Sequence, residues 1–187
     1  ISCCSTADIS KEHFEKINVK YTCFTFELDG VRYPDDLGES IPFEEFYSRM
    51  ANGSDTKTSQ VNTEEYTAYF RSFLEQGLDV IHLTLSSGIS GSLNSANIAK
   101  SMLQEEFPDR KLYVVDSLAA SGGFGLIMDK MSELRAAGMS IDELYAWVEE
   151  NKLRAHHWFF TTDLTFFLAS GFIFVIDVTK SSILTLH

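Results

Sequence analysis

The sequence lacks the short motifs that identify a metal or nucleotide site. Its three cysteines (Cys3, Cys4 and Cys23) form no Cys-x-x-Cys pair and no Cys/His spacing typical of zinc ligands. An odd count with two adjacent cysteines favours free thiols in a reducing compartment. Neither GxxxxGKS/T nor GxGxxG occurs, so no glycine-rich loop for nucleotide phosphates is expected. We therefore expect no metal and no cofactor.

Positive charge and long apolar runs are also scarce. The chain carries 15 Lys and Arg residues against 27 Asp and Glu residues, for a net charge of −12. This charge repels nucleic acid phosphates and anionic membrane surfaces, so neither is an expected partner. The longest apolar run, residues 172–176, is too short to span a bilayer, and no signal peptide pattern opens the sequence. We predict a cytoplasmic protein with no stable membrane insertion.

Segments of strand length alternate with segments of helical length along the 187 residues. Residues 79–85 and 112–115 are predicted buried strands. A helix is predicted to follow each of them, one from about Ser90 and one over residues 119–137. Apolar strands separated by helices favour a parallel sheet that is covered on both faces. The predicted fold is therefore α/β, a three-layer Rossmann-like parallel sheet with helices on both faces.

A small antiparallel β-hairpin insertion is predicted near the start of the chain. Residues 21–26 alternate and are rich in aromatic residues and threonine, which is typical of a strand. Asp29-Gly30 supplies the positive φ angles of a tight hairpin turn. We place the hairpin at about residues 21–36. A helix beginning near Phe43 and a polar loop over residues 51–60 are predicted to follow it.

Two capping boxes predict helix starts further along the chain. Asn62 with Glu65 and Ser140 with Glu143 have the spacing in which each side chain bonds to the other residue's backbone N–H. Behind the first box, aromatic residues recur at helical spacing and are predicted to lie in the core: Tyr66, Tyr69, Phe70 and Phe73.

Polar turns at the ends of strands are the candidate ligand sites, because ligands bind beyond the carboxyl ends of strands in open α/β sheets. The candidates are Ser5-Thr6, Thr58-Ser59-Gln60, residues 86–91 and Asp116-Ser117. The 86–91 turn (Ser-Ser-Gly-Ile-Ser-Gly) is the most informative. Its glycines allow close approach to the backbone. Serine hydroxyls and N–H groups at a helix N-terminus suit an anion such as a carboxylate.

Two other interpretations of this turn stay open. Its serines could simply cap an ordinary helix. A serine hydrolase could use Ser86, Ser87 or Ser90 as nucleophile with His82, although the spacing departs from GxSxG by one residue. A buried histidine with satisfied hydrogen bonds is the simpler interpretation of His82.

Five ordered segments carry a family resemblance. They are Ser5-Thr6-Ala7-Asp8, the 30–35 segment, Lys57-Thr58-Ser59-Gln60, the 86–92 segment, and Val115-Asp116-Ser117 with residues 121–125. They are similar in order to DSxxD, GxxYxD, TSQ, SSxxSGT and DS…SxGxG. In these motifs the chain resembles the DegV family of bacterial fatty-acid-binding proteins, from Ser5 to about Leu168.

The resemblance implies that a long-chain fatty acid lies between two α/β domains, with its carboxylate held by Thr58 and Ser90. The other ligand-binding residues expected from the same motifs are Ser5, Ser59, Ser87 and Gly91. It also implies a lipid-binding protein rather than an enzyme. Some relatives present the fatty acid to a separate fatty acid kinase, which phosphorylates the carboxylate to an acyl phosphate.

The sequence departs from the family pattern in its motifs and at its end. Cys4 stands where the family has an acid before Ser5, and Val61 stands where a proline follows the TSQ motif. Residues 1–160 are expected to form a DegV-like α/β domain. Residues 161–187 are expected to be a divergent remnant of the second α/β domain, which is otherwise largely absent.

An acyl tail needs a closed apolar tunnel to be removed from water. Apolar residues near the end of the chain could supply a wall or form a homodimer contact: Phe166, Phe167, Phe172, Ile173, Phe174 and Ile176. The main alternative to lipid binding is a truncated relative that has lost its ligand and acts as an interaction domain.

Overall fold

A four-stranded parallel sheet lies at the centre of the fold in a computed structural model that describes residues 1–158. Its strands are β1 (Ser2–Cys4), β2 (Lys20–Thr22), β6 (Val80–Thr84) and β7 (Leu112–Asp116), in the spatial order β2-β1-β6-β7. All three neighbouring pairs are parallel. The order reverses at β1, so the gap between β1 and β6 is the switch point at which open α/β sheets bind ligands.

Helices cover both faces of this sheet. They are α1 (Lys11–Lys16), α3 (Thr63–Leu74), α4 (Ser92–Glu106), α5 (Ser121–Ala136) and α6 (Ile141–Asn151). A further helix, α2 (Phe43–Ala51), lies beside the insertion, where Phe46 contacts Phe26, and 3-10 turns lie at Ser5–Ala7 and Lys152–Arg154. Tyr66 of α3 contacts the ring of His82 on one face, with 5.3 Å between ring centroids. Tyr113 of β7 stacks on Tyr145 of α6, with 4.3 Å between ring centroids. Tyr113 pairs with Ile81, whose side chain points away from the face of its neighbour His82, so α6 covers the other face of the sheet. The predicted three-layer arrangement is confirmed.

The predicted aromatic stripe lies in the core. Tyr66 and Phe70 are fully buried, and Tyr69 and Phe73 pack against the same cluster with part of their surface exposed. Both predicted capping boxes are also present at the starts of α3 and α6. The helix predicted from about Ser90 begins at Ser92.

The insertion is a three-stranded antiparallel sheet rather than a hairpin alone. Its strands are β3 (Thr25–Leu28), β4 (Val31–Pro34) and β5 (Thr56–Ser59), in the order β4-β3-β5. The predicted turn is confirmed, since Asp29 and Gly30 have φ angles of 52° and 81° between the paired residues Leu28 and Val31.

Two details of the predicted insertion are wrong. The single strand expected over residues 21–26 is divided between the two sheets, because the backbone N–H of Phe24 bonds to the Ser5 hydroxyl instead of a strand. The loop expected over residues 51–60 contains β5. This strand is polar and mostly exposed, so no apolar alternation marks it, and it forms only by pairing with β3, for example Thr56 with Leu28.

Residues 1–155 form one compact unit. The apolar residues predicted to form a wall or a homodimer contact lie outside the described part of the chain. The domain boundary at residue 160 therefore stays a prediction. No helix within residues 1–158 is long and apolar enough to cross a membrane.

The core of α4 gives a test of this packing. Leu103 is fully buried, whereas its neighbour Met102 is exposed. We expect Leu103→Ala to lower the free energy of unfolding by about 2–5 kcal/mol, because it removes buried apolar atoms and leaves a cavity. Urea denaturation followed by circular dichroism measures the change. Met102→Ala is the matched control, expected to shift stability by about 0.5 kcal/mol or less. Equal losses in the two variants would contradict the placement of α4.

Candidate functional site

Polar segments gather at the carboxyl edge of the parallel sheet. Ser5 follows β1, the 86–91 turn follows β6 and Ser117 follows β7. Because the three strands are parallel neighbours, these ends meet at one edge, beside the switch point. The structure therefore brings together three of the four turns that the sequence singles out.

Three residues near this edge adopt the left-handed backbone conformation without being glycine. Asp8, Leu118 and Ser121 have φ angles of 51°, 51° and 50°. Such residues cost on the order of 1–3 kcal/mol each and persist only where the surrounding contacts fix them. They cluster at functional sites in proteins, and here they follow β1 and β7.

The hydroxyl of Ser5 ties the insertion to the end of β1. It accepts a hydrogen bond from the backbone N–H of Phe24 at 3.1 Å and donates one to Asp35 Oδ2 at 2.7 Å. The backbone N–H of Asp35 in turn bonds to the carbonyl of Phe24 at 2.8 Å. Burial raises the pKa of the Asp35 carboxyl, and the bond from Ser5 opposes that shift. Both ends of the β3–β4 hairpin are thus fixed to one buried serine.

A glycine in α5 permits a second close contact at the same edge. A Cβ at Gly125 would lie 2.8 Å from Ile9 Cγ2 and 2.9 Å from the carbonyl oxygen of Ala7. Only a residue without a side chain allows α5 to lie this close to the 3-10 turn after β1. The SxGxG segment therefore has a packing role.

The 86–91 turn is held by its own backbone and by β7. The carbonyl of Ser86 accepts the backbone N–H of Ser90 at 3.1 Å. Asp116 Oδ1 accepts the backbone N–H of Ser87 at 3.1 Å. The side chain of Ser87 is exposed. These bonds fix the backbone of the turn and leave the side chain of Ser87 at the surface.

Gln60 closes over this turn from the end of β5. Ser90 Oγ donates to Gln60 Oε1 at 3.2 Å, and Gln60 Nε2 donates to Ser95 Oγ at 3.4 Å. Ser90 Oγ also accepts the backbone N–H of Ser92 at 3.1 Å. A Cβ at Gly91 would lie only 2.9 Å from Gln60 Oε1, so the glycine makes room for this amide. The TSQ motif and the 86–91 turn therefore meet directly.

The other predicted residues of the TSQ motif lie beside this contact. Thr58 pairs with Phe26 in the antiparallel sheet, two residues before Gln60, and both Thr58 and Ser59 are exposed. Sequence reasoning named Gln60 only as part of the candidate turn Thr58-Ser59-Gln60 and did not include it among the ligand-binding residues. Its position as the third residue of the TSQ motif is the signal that could have identified it.

A buried polar network lies beneath the site, between β1, β6 and α3. Tyr69 donates to Ser2 Oγ at 3.1 Å, and Ser2 Oγ lies 2.6 Å from His82 Nδ1. His82 Nε2 lies 3.7 Å from Cys4 Sγ, which is 3.1 Å from the Tyr66 hydroxyl. Burial lowers the pKa of His82 to about 3 and raises the pKa of the Cys4 thiol to about 11. The network is therefore neutral at pH 7.

The position of His82 bears on the hydrolase interpretation. Both ring nitrogens are engaged with residues of β1, and the side chain is completely buried. The prediction of a buried, hydrogen-bonded histidine is confirmed. A general base must reach the nucleophile through a free nitrogen, which His82 does not offer to the serines of the turn. Within residues 1–158, no group of three His, Cys, Asp or Glu side chains is arranged to hold a metal ion.

Comparison with known proteins gives the family. Residues 4–185 match the family model described as "Uncharacterised protein, DegV family". The chain belongs to the DegV family. The resemblance carried by the five sequence motifs is thereby confirmed.

Relatives of known sequence and structure cover most of this DegV chain. A DegV domain-containing protein of Clostridium perfringens is 34% identical over 155 residues, which are 83% of this chain and 53% of the relative. A stearic acid-binding protein from Eubacterium ventriosum is 34% identical with a TM-score of 0.72, covering 79% of this chain and 51% of its own. A DegV family protein from Thermus thermophilus, described by its fatty acid binding, is 30% identical with a TM-score of 0.78, covering 91% and 59%. The chain spans about half the length of the curated relatives it matches.

The buried histidine predicts how stability depends on pH. Burial lowers the pKa of folded His82 from its ordinary value of 6.5 to about 3, so the unfolded chain takes up the proton first as the pH falls. The stability contributed by neutral His82 is therefore complete above pH 6.5 and is lost between pH 6.5 and about 3. We expect this histidine alone to lower the free energy of unfolding by about 2 kcal/mol between pH 7 and roughly pH 5.

Urea denaturation at the two pH values measures this loss. His82→Gln is the control, because its amide does not titrate and its pH dependence should be smaller by the same amount. An identical pH dependence in wild type and variant would contradict the assignment of a neutral, buried His82.

Proposed function

We propose that this DegV chain binds the carboxylate of a long-chain fatty acid at the carboxyl edge of its parallel sheet, with Thr58 and Ser90 contacting the head group. The observation that carries the proposal is the meeting of the TSQ motif with the 86–91 turn through Gln60. Two motifs about 30 residues apart would then supply hydroxyl donors to one ligand. Binding of stearic acid by the Eubacterium ventriosum relative supports this assignment.

The chemistry of the edge suits a carboxylate. Hydroxyl groups donate strong hydrogen bonds to an anion. The 15-residue helix α4 begins directly after the turn, so its positive end would favour negative charge there. The side chains from outside the turn that bond to it among residues 1–158 are Gln60 and Asp116, neither of which is basic. The head group would thus be recognised on this side by neutral donors.

The predicted site residues divide into two roles under this proposal. Thr58, Ser59 and Ser87 are exposed, and Ser90 would contact the ligand at the turn. Ser5 is buried, and its donor and acceptor bonds hold Phe24 and Asp35 (together with the hairpin) in place. Gly91 contributes space for Gln60 rather than a contact of its own. We therefore assign Ser5 and Gly91 to positioning of the site.

The role of the whole protein follows from the same proposal. We propose a lipid-binding protein of the cytoplasm that carries out no reaction itself and presents its fatty acid to a separate kinase. The kinase would supply ATP and phosphorylate the carboxylate. Enclosure of the acyl tail would fall to parts of the protein beyond residue 158. A homodimer contact through the apolar residues near the end of the chain stays a prediction.

A serine variant tests head-group binding. We expect Ser90→Ala to weaken binding of oleate roughly 10-fold to 100-fold, because hydrogen bonds to charged groups contribute about 1.5–3 kcal/mol. Isothermal titration calorimetry measures the affinity. Ser101→Ala is the matched control, since Ser101 lies on the exposed side of α4 and bonds only to the carbonyl of Asn97.

Three outcomes separate the alternatives. Unchanged oleate affinity in Ser90→Ala would refute the assigned head-group site. Absence of oleate binding by the wild-type chain would favour the interaction domain. Hydrolysis of a p-nitrophenyl ester that disappears in Ser90→Ala would favour the hydrolase.

A further inference from the structure

The hydroxyl proton of Ser90 is engaged in a hydrogen bond to Gln60. A serine hydroxyl has one proton to donate and accepts through its oxygen lone pairs. Here the proton points to Gln60 Oε1, and the oxygen accepts the backbone N–H of Ser92. A carboxylate can only accept hydrogen bonds, so Ser90 cannot donate to it while this arrangement persists.

A rotation of the Gln60 amide by about half a turn would release that proton. The amide ends in one acceptor and one donor of nearly equal shape. After rotation, Nε2 would donate to Ser90 Oγ, and Oε1 would accept from the hydroxyl of Ser95, which now accepts from Nε2. Both partners of the amide are hydroxyl groups, which can donate or accept. The rotation therefore keeps every bond while reversing its direction.

The space around the amide is consistent with such a rotation. The oxygen and nitrogen of Gln60 lie at nearly equal distances, 2.9 Å and 3.0 Å, from the point where a Gly91 Cβ would stand. Gln60 itself is exposed, so its side chain is not held by core packing. Exchange of the two atoms changes neither the shape of the contact with Gly91 nor the fit of the turn.

We propose that Gln60 is a positioning residue whose amide, together with Ser95, switches Ser90 between a state closed to the ligand and a state that donates to its carboxylate. The inference rests on the head-group site proposed above. The carboxylate favours the second state, because it accepts the released proton. The same rotation turns the amide nitrogen, rather than its oxygen, toward the head-group side. An anionic head group is thereby preferred over a neutral one.

Replacement of the amide by a carboxylate tests this switch. Glu at position 60 would have acceptors only, so it would retain the Ser90 proton in every rotamer and add a negative charge. We expect Gln60→Glu to weaken oleate binding about tenfold or more at pH 7 and to change the affinity for oleyl alcohol, which has the same tail and no charge, by less than about twofold. Gln104→Glu is the matched control, because Gln104 is exposed on α4, outside the turn.

The amide signals of Gln60 separate the rotation from the effect of the added charge. Nuclear magnetic resonance of the wild-type chain gives a second measurement. The side-chain amide signals of Gln60 should shift on addition of oleate and stay in place with oleyl alcohol.

The outcomes distinguish the switch from the site on which it rests. Equal weakening of acid and alcohol by Gln60→Glu, or amide signals that do not respond to oleate, would overturn the switch while leaving fatty acid binding intact. Absence of oleate binding by the wild-type chain would overturn the proposed function and the switch together.

Discussion

The hydroxyl group of Ser5 joins the two sheets of this protein, and the geometry of the candidate site depends on that junction. It bonds to Phe24, where the chain leaves the parallel sheet, and to Asp35, where the hairpin ends. The antiparallel sheet is therefore anchored at the end of β1. Because β5 belongs to that sheet, the anchor also sets where Gln60 stands relative to the 86–91 turn.

Small residues allow the remaining elements to approach this junction. Gly125 lets α5 lie against the 3-10 turn after β1, and Gly91 lets the Gln60 amide lie against the start of α4. Neither glycine has a positive φ angle, so neither is required by backbone conformation. A side chain at Gly125 would meet the backbone of Ala7, whereas one at Gly91 would meet the end of the exposed Gln60 side chain. Beneath them, His82 forms a neutral, buried hydrogen-bond network with Ser2 and Cys4. The site is thus built from close contacts between elements that are distant in sequence.

The local elements of the fold could be predicted from the sequence because their causes are local. Asp29-Gly30 makes a tight turn through its own backbone preferences, and Asn62 with Glu65 caps α3 through bonds within one helical turn. The aromatic stripe of α3 follows from helical periodicity. The motif order was enough to identify the family, and it placed Ser90 in a turn at the sheet edge.

The contacts that make the site could not be predicted in this way. β5 carries polar, exposed residues and exists only because β3 lies beside it. Gln60 reads as one more polar residue until the tertiary structure places its amide between Ser90 and Ser95. The sequence by itself determined the helices from α2 to α6, the hairpin turn, the layered fold class and the family, since these depend on neighbours a few residues apart or on ordered motifs. Only the tertiary structure decided which polar groups share a hydrogen bond, because such bonds require atoms brought within about 3 Å by the packing of separate elements.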